Sequence, residues 1–577
     1  GLGLALFAAL RSAAHLLGDG YLMVRELAMG IGRLGNEPLA LWVVQELYGV
    51  AAAWGWDAES VYRGQSYAAG GLYLLLAFPA SAALGRSRQE QWLVLGLLAT
   101  GGYVQVFCGY AETYALLFPG LLLFLLLGLW HLRGKLSLWP AAVVWALLMA
   151  YHFIAFTLAP ALALLAWRGG IRWRTAIELA VGPVLVLGVL QAIGMEVFAY
   201  AGRLRSSHLL PVGEPVEYVQ AYSLLAAEHW VDFLNEQLLV APAVVLAVVG
   251  CGLARAWSQE RLFLGIAGLF PLAFTFAANP EIGAFRDWDV LALPALPLML
   301  WAARAMAERL PAPYLGEAGL LLGGAAALHL LVWLGINADQ EAGPRRFENM
   351  MAEGYLSPHA RSYGWETLGS FYREQGEHQR ALRAFQRAAR ANAENPRHWE
   401  AIAQEHQVLG QGMEAIQSLE KALDLDKDNG RLWDFLGTMY AETGRYEEAV
   451  RAHGQALEYE GKNAAVWYNL GNAHLRSGRP GAAVEAYEEA VRLGEGRAEV
   501  FFNLGLAREE LGDLEGALAA YGQAAGYALA RYRLALLYEK LDYPEAALEQ
   551  AQRFLEEWRE GGPFAEHMRE LVQRLGP

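Results

Sequence analysis

The sequence predicts an all-α protein in two parts: a polytopic bundle of about eleven transmembrane helices, then an α-solenoid of repeated helix pairs. Three observations carry this. Of the 577 residues, 55% are hydrophobic and 18% charged, and the charge is unevenly placed. Residues 1–340 hold 18 Lys/Arg and 22 Asp/Glu and break into apolar runs, whereas residues 341–577 hold 27 and 38. Third, a large aromatic ring recurs every 34 residues in the charged part. Two domains in two solvents follow: a membrane domain at 1–335, a linker at 336–361 and a repeat domain of about six units plus a capping helix at 362–577.

A membrane core needs roughly 20 apolar residues per helix, about 17 at the least. The runs at 2–17, 68–84, 92–108, 113–130, 176–199, 238–254, 262–278, 289–303 and 315–335 meet or approach that length. Residues 138–167 read as one tilted helix or as a short hairpin turning near Tyr151-His152, and 38–56 as a span or an interfacial helix. Arg86/Arg88, Arg133/Lys135, Arg168/Arg172/Arg174, Arg255/Arg261 and Arg304/Arg309 each follow a run within a short connection. All five groups share the cytoplasmic side only if 138–167 is a hairpin and 38–56 does not cross. Eleven crossings of the cytoplasmic membrane result, with the repeats outside. The chain opens at Gly1 inside an apolar segment, so an upstream piece is expected, and no small-residue cleavage site marks a signal peptide.

Trp365, Trp399, Trp433, Trp467 and Phe501 set the 34-residue period. Leu368, Ile402, Leu436, Leu470 and Leu504 follow three residues on, and Ala381, Ala415, Ala449, Ala483 and Ala517 mark the second helix of each unit. Ala388, Ala422, Ala456, Ala490 and Ala524 recur one period apart further along that helix. Small residues recur where antiparallel helices approach closely, and large apolar ones fill the gap to the next unit. A shortened sixth unit follows at Leu534, Ala535, Tyr538 and Ala547, and 563–575 can cap the last apolar face. This pattern resembles the tetratricopeptide (TPR) repeat, which implies a protein or peptide partner. Asn469, Asn472 and Asn503 lie in first helices, where a carboxamide can bond an extended peptide backbone. The acidic balance excludes nucleic-acid backbones as partners.

The membrane part's few polar groups gather at the turns assigned to the outer face. Asp19 follows the first run, Asn36-Glu37-Pro38-Leu39 opens the interfacial stretch, and Glu112 lies in Gly109-Tyr110-Ala111-Glu112-Thr113-Tyr114. His152 marks the hairpin tip and Arg286-Asp287-Trp288-Asp289 precedes a late run. For His229, Asp232 and Asn235, at helical spacing, an interfacial amphipathic helix is the default reading.

An acid after the first helix, a long outer loop with an E-P-L motif and an acidic second turn together resemble the GT-C glycosyltransferases. Protein O-mannosyltransferases, including those with outward TPR repeats, and the aminoarabinose transferases of lipid A are the nearest models. Two departures stand out: Gly20 follows Asp19 where that family has a second acid, and Glu37 replaces the first Pro of its P-P-L motif. The resemblance implies a polyprenyl-phosphate-linked sugar as donor and an inverting transfer to an extracytoplasmic acceptor, protein or envelope glycan. Asp19 would act as general base, and Arg286 and His152 would receive the departing phosphate. Glu37 stands at the substrate loop, and Glu112, Asp287 and Asp289 would bind sugar hydroxyls or a divalent cation through hard oxygens. No protein metal site is expected from residue spacing. The rivals are an O-antigen ligase or polymerase and a non-catalytic membrane-anchored TPR scaffold.

Overall fold

The computed structural model describes residues 2–12, 16, 20–29, 38–111, 113–168, 173–192, 209–214, 218, 220–245, 257–279, 288–339, 341–524 and 526–576. Apart from one isolated bridge between Leu209 and Ala278, these are helical or irregular. The chain forms two compact units, Gly1–Phe371 and Tyr372–Pro577.

In the first unit α1 (Leu2–Ala9), α2 (Gly20–Ala28), α3 (Pro38–Ala52), α4 (Ala58–Leu84) and α5 (Arg88–Thr100) precede a buried 3₁₀ stretch, Gly102–Phe107. Next come α6 (Leu117–Leu132), α7 (Trp139–Tyr151), α8 (Ala159–Arg168), α9 (Trp173–Ala192) and α10 (Ala227–Val240). The last are α11 (Gln259–Ala277), the single turn α12 (Trp288–Leu291), α13 (Ala295–Arg309), α14 (Ala312–Ala338) and α15 (Ala342–Glu353). Local caps explain several starts. Asp57 accepts from the Ser60 amide at 2.8 Å at the head of α4. Ser87 accepts from the Glu90 amide at 3.2 Å, and Glu90 accepts in turn from the Arg86 amide at 3.0 Å.

Among the described residues five helices, not eleven, are long and apolar enough to cross a membrane: Ala58–Leu84, Thr113–Leu132, Trp173–Ala192, Gln259–Ala277 and Tyr314–Ala338. The missing crossings have physical causes. In 2–17 the helix ends at Ala9, and the Ser12 amide turns onto the Cys108 carbonyl at 2.9 Å. In 92–108 the helix stops at Thr100, and the chain then passes so close to the Leu239 carbonyl that a Cβ at Gly102 would collide with it. The 3₁₀ backbone that follows is buried by protein. The 138–167 run breaks at His152 into two shorter apolar helices, Trp139–Tyr151 and Phe153–Arg168, the second opening as a 3₁₀ turn. The 289–303 run sits inside the protein, with Ala295–Met306 buried throughout. The α3 segment is a short apolar helix, and 238–254 leaves the described residues after 245.

The arginine clusters that share a side in the sequence reading do meet. Arg133, after α6, pairs with Glu260 of α11 at 2.7 Å. Arg304 of α13 reaches Glu90, Glu260 and Glu308 at 3.7, 3.3 and 3.1 Å, and Arg261 reaches Glu308 at 3.2 Å. Members of three of the five basic groups therefore stand at one end of this unit.

The repeats begin with α16 (Pro358–Glu374), which runs through the boundary between the units, and α17 (His378–Ala391). Then come α18 (Pro396–Val408), α19 (Gly412–Leu425), α20 (Gly430–Glu442), α21 (Tyr446–Tyr459), α22 (Ala464–Arg476) and α23 (Pro480–Arg492). The series closes with α24 (Ala498–Glu510), α25 (Leu514–Gln523), α26 (Ala528–Lys540), α27 (Pro544–Glu557) and a single α28 (Pro563–Leu575). Both alanine series of the sequence reading are fully buried. Gly376, Gly410, Gly444, Gly478 and Gly512 end first helices with φ of 74, 71, 78, 72 and 79°. Asp542 does so in the shortened sixth unit at φ 64°. A left-handed residue there turns the chain sharply into the second helix.

Candidate functional site

In the first unit two buried stretches, 102–111 and 113–115, gather polar groups from several elements. Gln105 donates to Ser12 at 2.8 Å, beyond α1. Ser66 of α4 donates to the Val106 carbonyl at 2.7 Å and accepts from the Gly109 amide at 3.0 Å. Tyr151 donates to the Thr113 carbonyl at 2.6 Å and accepts from Gln65 at 3.1 Å. Trp288 donates to the Tyr110 hydroxyl at 3.1 Å.

His152 belongs to this cluster and is buried, not a solvated tip. Its Nδ1 accepts from the Ile154 amide at 3.0 Å and caps the 3₁₀ turn after α7. That leaves Nε2 to carry the proton toward the Tyr114 hydroxyl 3.0 Å away. Both ring nitrogens are thus committed, so taking up a phosphate would first require breaking one bond. Asp289 is buried beside Trp288. Asp19, Glu37, Glu112, Arg286 and Asp287 lie outside the described residues. The chain on both sides of Glu112 nevertheless meets His152 and the Trp288-Asp289 turn. Among the described residues no group of three or more His, Cys, Asp or Glu could hold a metal ion.

In the repeats, the first helices of successive units meet through side chains. Asn469 of α22 donates to Asp434 of α20 at 3.2 Å, and Asp434 also faces His453 Nδ1 at 2.7 Å. Asn503 of α24 donates to the Asn472 carbonyl oxygen of α22 at 2.9 Å, and to the Tyr468 hydroxyl at 3.3 Å. Tyr487 donates to the same Asn472 oxygen at 2.8 Å. All three asparagines predicted as a peptide site are half-buried on this shared face. Each spends only part of its capacity: the Asn472 amide nitrogen and the Asn469 and Asn503 carbonyl oxygens carry no bond among the described residues. The glycines Gly437, Gly471 and Gly505 let the helices close, since a Cβ there would lie 2.7, 2.6 and 2.5 Å from the His453, Tyr487 and Tyr521 rings. Indole donors of Trp399, Trp433 and Trp467 each bond a carbonyl six residues back, at 2.9, 2.8 and 3.1 Å.

Reading the sequence for repeats missed the second unit's polar core. His398 and Glu405 are both 1% exposed, at positions one period before Leu432 and Met439. Glu405 pairs with Arg373 and, at 2.9 Å, with His378. Departure from the apolar pattern at those two positions was the available signal.

Family models for the tetratricopeptide repeat match residues 365–397 and 468–528, and a TPR-repeat model matches 437–478. The C-terminal region is built of TPR repeats. Solved structures are similar to part of the chain. YrrB, described as a TPR protein with an unusual peptide-binding site, is 25% identical; the match covers 32% of this chain and 98% of YrrB, with a TM-score of 0.29. Pseudomonas aeruginosa pilF is 20% identical over 36% of this chain and 97% of its own, with a TM-score of 0.32. MamA is 25% identical over 27% and 91%, with a TM-score of 0.27. No curated protein matches this chain.

Proposed function

We propose that this protein is a membrane-anchored adaptor whose TPR repeats bind an extended peptide segment of a partner protein. The ladder of Asp434, Asn469, Asn472 and Asn503 across α20, α22 and α24 carries the reading. It holds half-exposed amide groups with unspent donors and acceptors in register on neighbouring first helices, the pattern an extended backbone can bond. Full-length protein in detergent, screened against a peptide library, should select a common extended motif. The double variant Asn469→Ala, Asn503→Ala should weaken that peptide about tenfold, since each net hydrogen bond contributes about 0.5–1.5 kcal/mol. Unchanged affinity in a variant that melts like the wild type would move the site off this face.

The membrane arrangement is part of the proposal. The end of the first unit holding Arg133, Arg261 and Arg304 faces the cytoplasm by the excess of arginine. Helix α14 then starts on that side, after Arg309, and carries the repeats to the extracytoplasmic side. A cysteine introduced at the exposed Glu560 should react in intact cells with a membrane-impermeant maleimide. Labelling only after lysis would reverse the orientation.

One observation favours a second reading as a lipid-linked sugar transferase. The segments on either side of Glu112 meet His152 and Trp288, through Tyr114 and Tyr110, and Ser12, after α1, meets Gln105 of the preceding stretch. Asp19 would be the base for an acceptor hydroxyl in an inverting transfer, with Arg286 on the leaving phosphate. Purified protein given polyprenyl-phosphate sugars and envelope acceptors tests it: a product with inverted anomeric configuration supports the transferase, and no transfer from any donor retires it.

A further inference from the structure

A cavity of about 960 Å³ opens in the first unit between α10, the C-terminal end of α14, and α15. Its size falls at the upper end of small-molecule sites. Five carboxylates and two guanidinium groups line it, so it is not suited to an anion alone. Neither does it suit a cation alone. Arg346 lies on the wall with its guanidinium 4.4 Å over the Trp333 ring, and its Nη1 is out of water without a hydrogen-bond partner. Burial pulls the Arg346 pKa down and neighbouring Glu236 pushes it back up. Across the cavity on α10, burial raises the Asp232 carboxyl to about 6, against a hydrogen bond from Tyr222 that lowers it. A carboxylate desolvated in this way gains from a cation beside it, as a guanidinium nitrogen left bare gains from an anionic oxygen. Leu239, Ile336 and Met350 add apolar side chains to the lining.

We propose that this cavity binds the headgroup of a zwitterionic phospholipid of the phosphatidylethanolamine type. Its phosphate bonds Arg346, its ammonium faces Asp232, and its glycerol and upper acyl chains lie over Leu239, Ile336 and Met350. Position supports lipid over a soluble ligand: α14 is one of the five helices long enough to cross a membrane, and the cavity sits at its end. Helix α15 closes the site as an amphipathic element, with Phe347 and Met351 buried. The inference rests on the membrane reading of those helices and is independent of the peptide reading of the repeats.

The test uses full-length protein stripped of lipid in detergent and dosed with dioleoyl-phosphatidylethanolamine, dioleoyl-phosphatidylglycerol or phosphoethanolamine. Bound adducts are counted by native mass spectrometry, and melting is followed in parallel. One phosphatidylethanolamine should be retained at least tenfold more tightly than phosphatidylglycerol and should raise the melting temperature. Asp232→Asn, a near-isosteric change at a half-buried position, should lose at least tenfold in retention, and Arg346→Met should lose as much. Equal retention of the anionic lipid, or wild-type retention by Asp232→Asn, would overturn the proposal. Phosphoethanolamine binding as tightly as the lipid would overturn the lipid assignment.

Discussion

Arg304→Met should cost the first unit about 3–5 kcal/mol and lower its melting temperature in detergent by several degrees or more. Arg304 is only 3% exposed and ties together four helix ends. Its guanidinium reaches Glu90 at the head of α5, Glu260 at the head of α11 and Glu308 one turn on in α13, and donates to the Leu84 carbonyl at the end of α4 at 3.4 Å. Methionine keeps much of the stem's volume and removes the charge, so three carboxylates would face each other with only Arg133 and Arg261 left. Breaking a buried pair from one side strands its partner's charge, which costs more than the intact pair contributes. Arg304→Lys should fall between, because an ammonium keeps the charge but cannot fork to three acceptors. Wild-type melting of Arg304→Met would mean that water reaches these carboxylates. As a comparison, Arg345→Met should change little: the Arg345–Glu341 pair is mostly exposed, and exposed pairs contribute about 0–1 kcal/mol.

The contrast between the two units shows what sequence periodicity can carry. In the repeats every unit meets the same neighbours, so one 34-residue pattern reports burial at each position. Both buried alanine series and the large apolar residues of the first helices were legible for that reason. In the first unit an apolar run reports only that water is absent. Lipid and protein interior look alike in composition, and α13 reads as a span although its residues are buried against the protein. Breaks inside runs were partly legible, as at His152, and partly hidden, as at Gly101-Gly102, where the Leu239 carbonyl that forbids a side chain is distant in sequence. The placement of Arg133, Arg261 and Arg304 at one end was legible because a charge rule acts on such groups together. Of the candidate site, the sequence marked which turns hold polar groups. It could not show that His152 spends both ring nitrogens inside the protein. Nor could it show that Asn469, Asn472 and Asn503 join successive first helices while keeping groups to spare.

The TPR region should lose stability as pH falls from about 6.5 to about 4, and His398→Leu should remove most of that loss. His398 is buried, and burial holds its pKa down at about 4, helped by the charge of neighbouring Arg397. In the unfolded chain an ordinary histidine titrates near 6.5. Between those values the unfolded state binds the proton and the folded state refuses it, so stability rises with pH across the window. The histidine's contribution is whole above about 6.5 and falls away as pH drops through about 4. The full difference is about 3 kcal/mol, or roughly 6–12 °C in melting temperature for a region of this size. His474 is depressed in the same direction by burial and by Arg479, and adds to the slope. Leucine is the informative replacement because the positions one, two and three periods on are Leu432, Val466 and Val500, all buried. An aliphatic side chain therefore suits this site in the repeat. Residues 357–577 expressed alone, melted at pH 7.5 and pH 4.5, give the readout. His398→Leu should match or exceed the wild type at pH 7.5 and exceed it by several degrees at pH 4.5. Equal acid sensitivity in the two proteins would assign the loss to carboxylate pairs such as Glu405 with Arg373 instead.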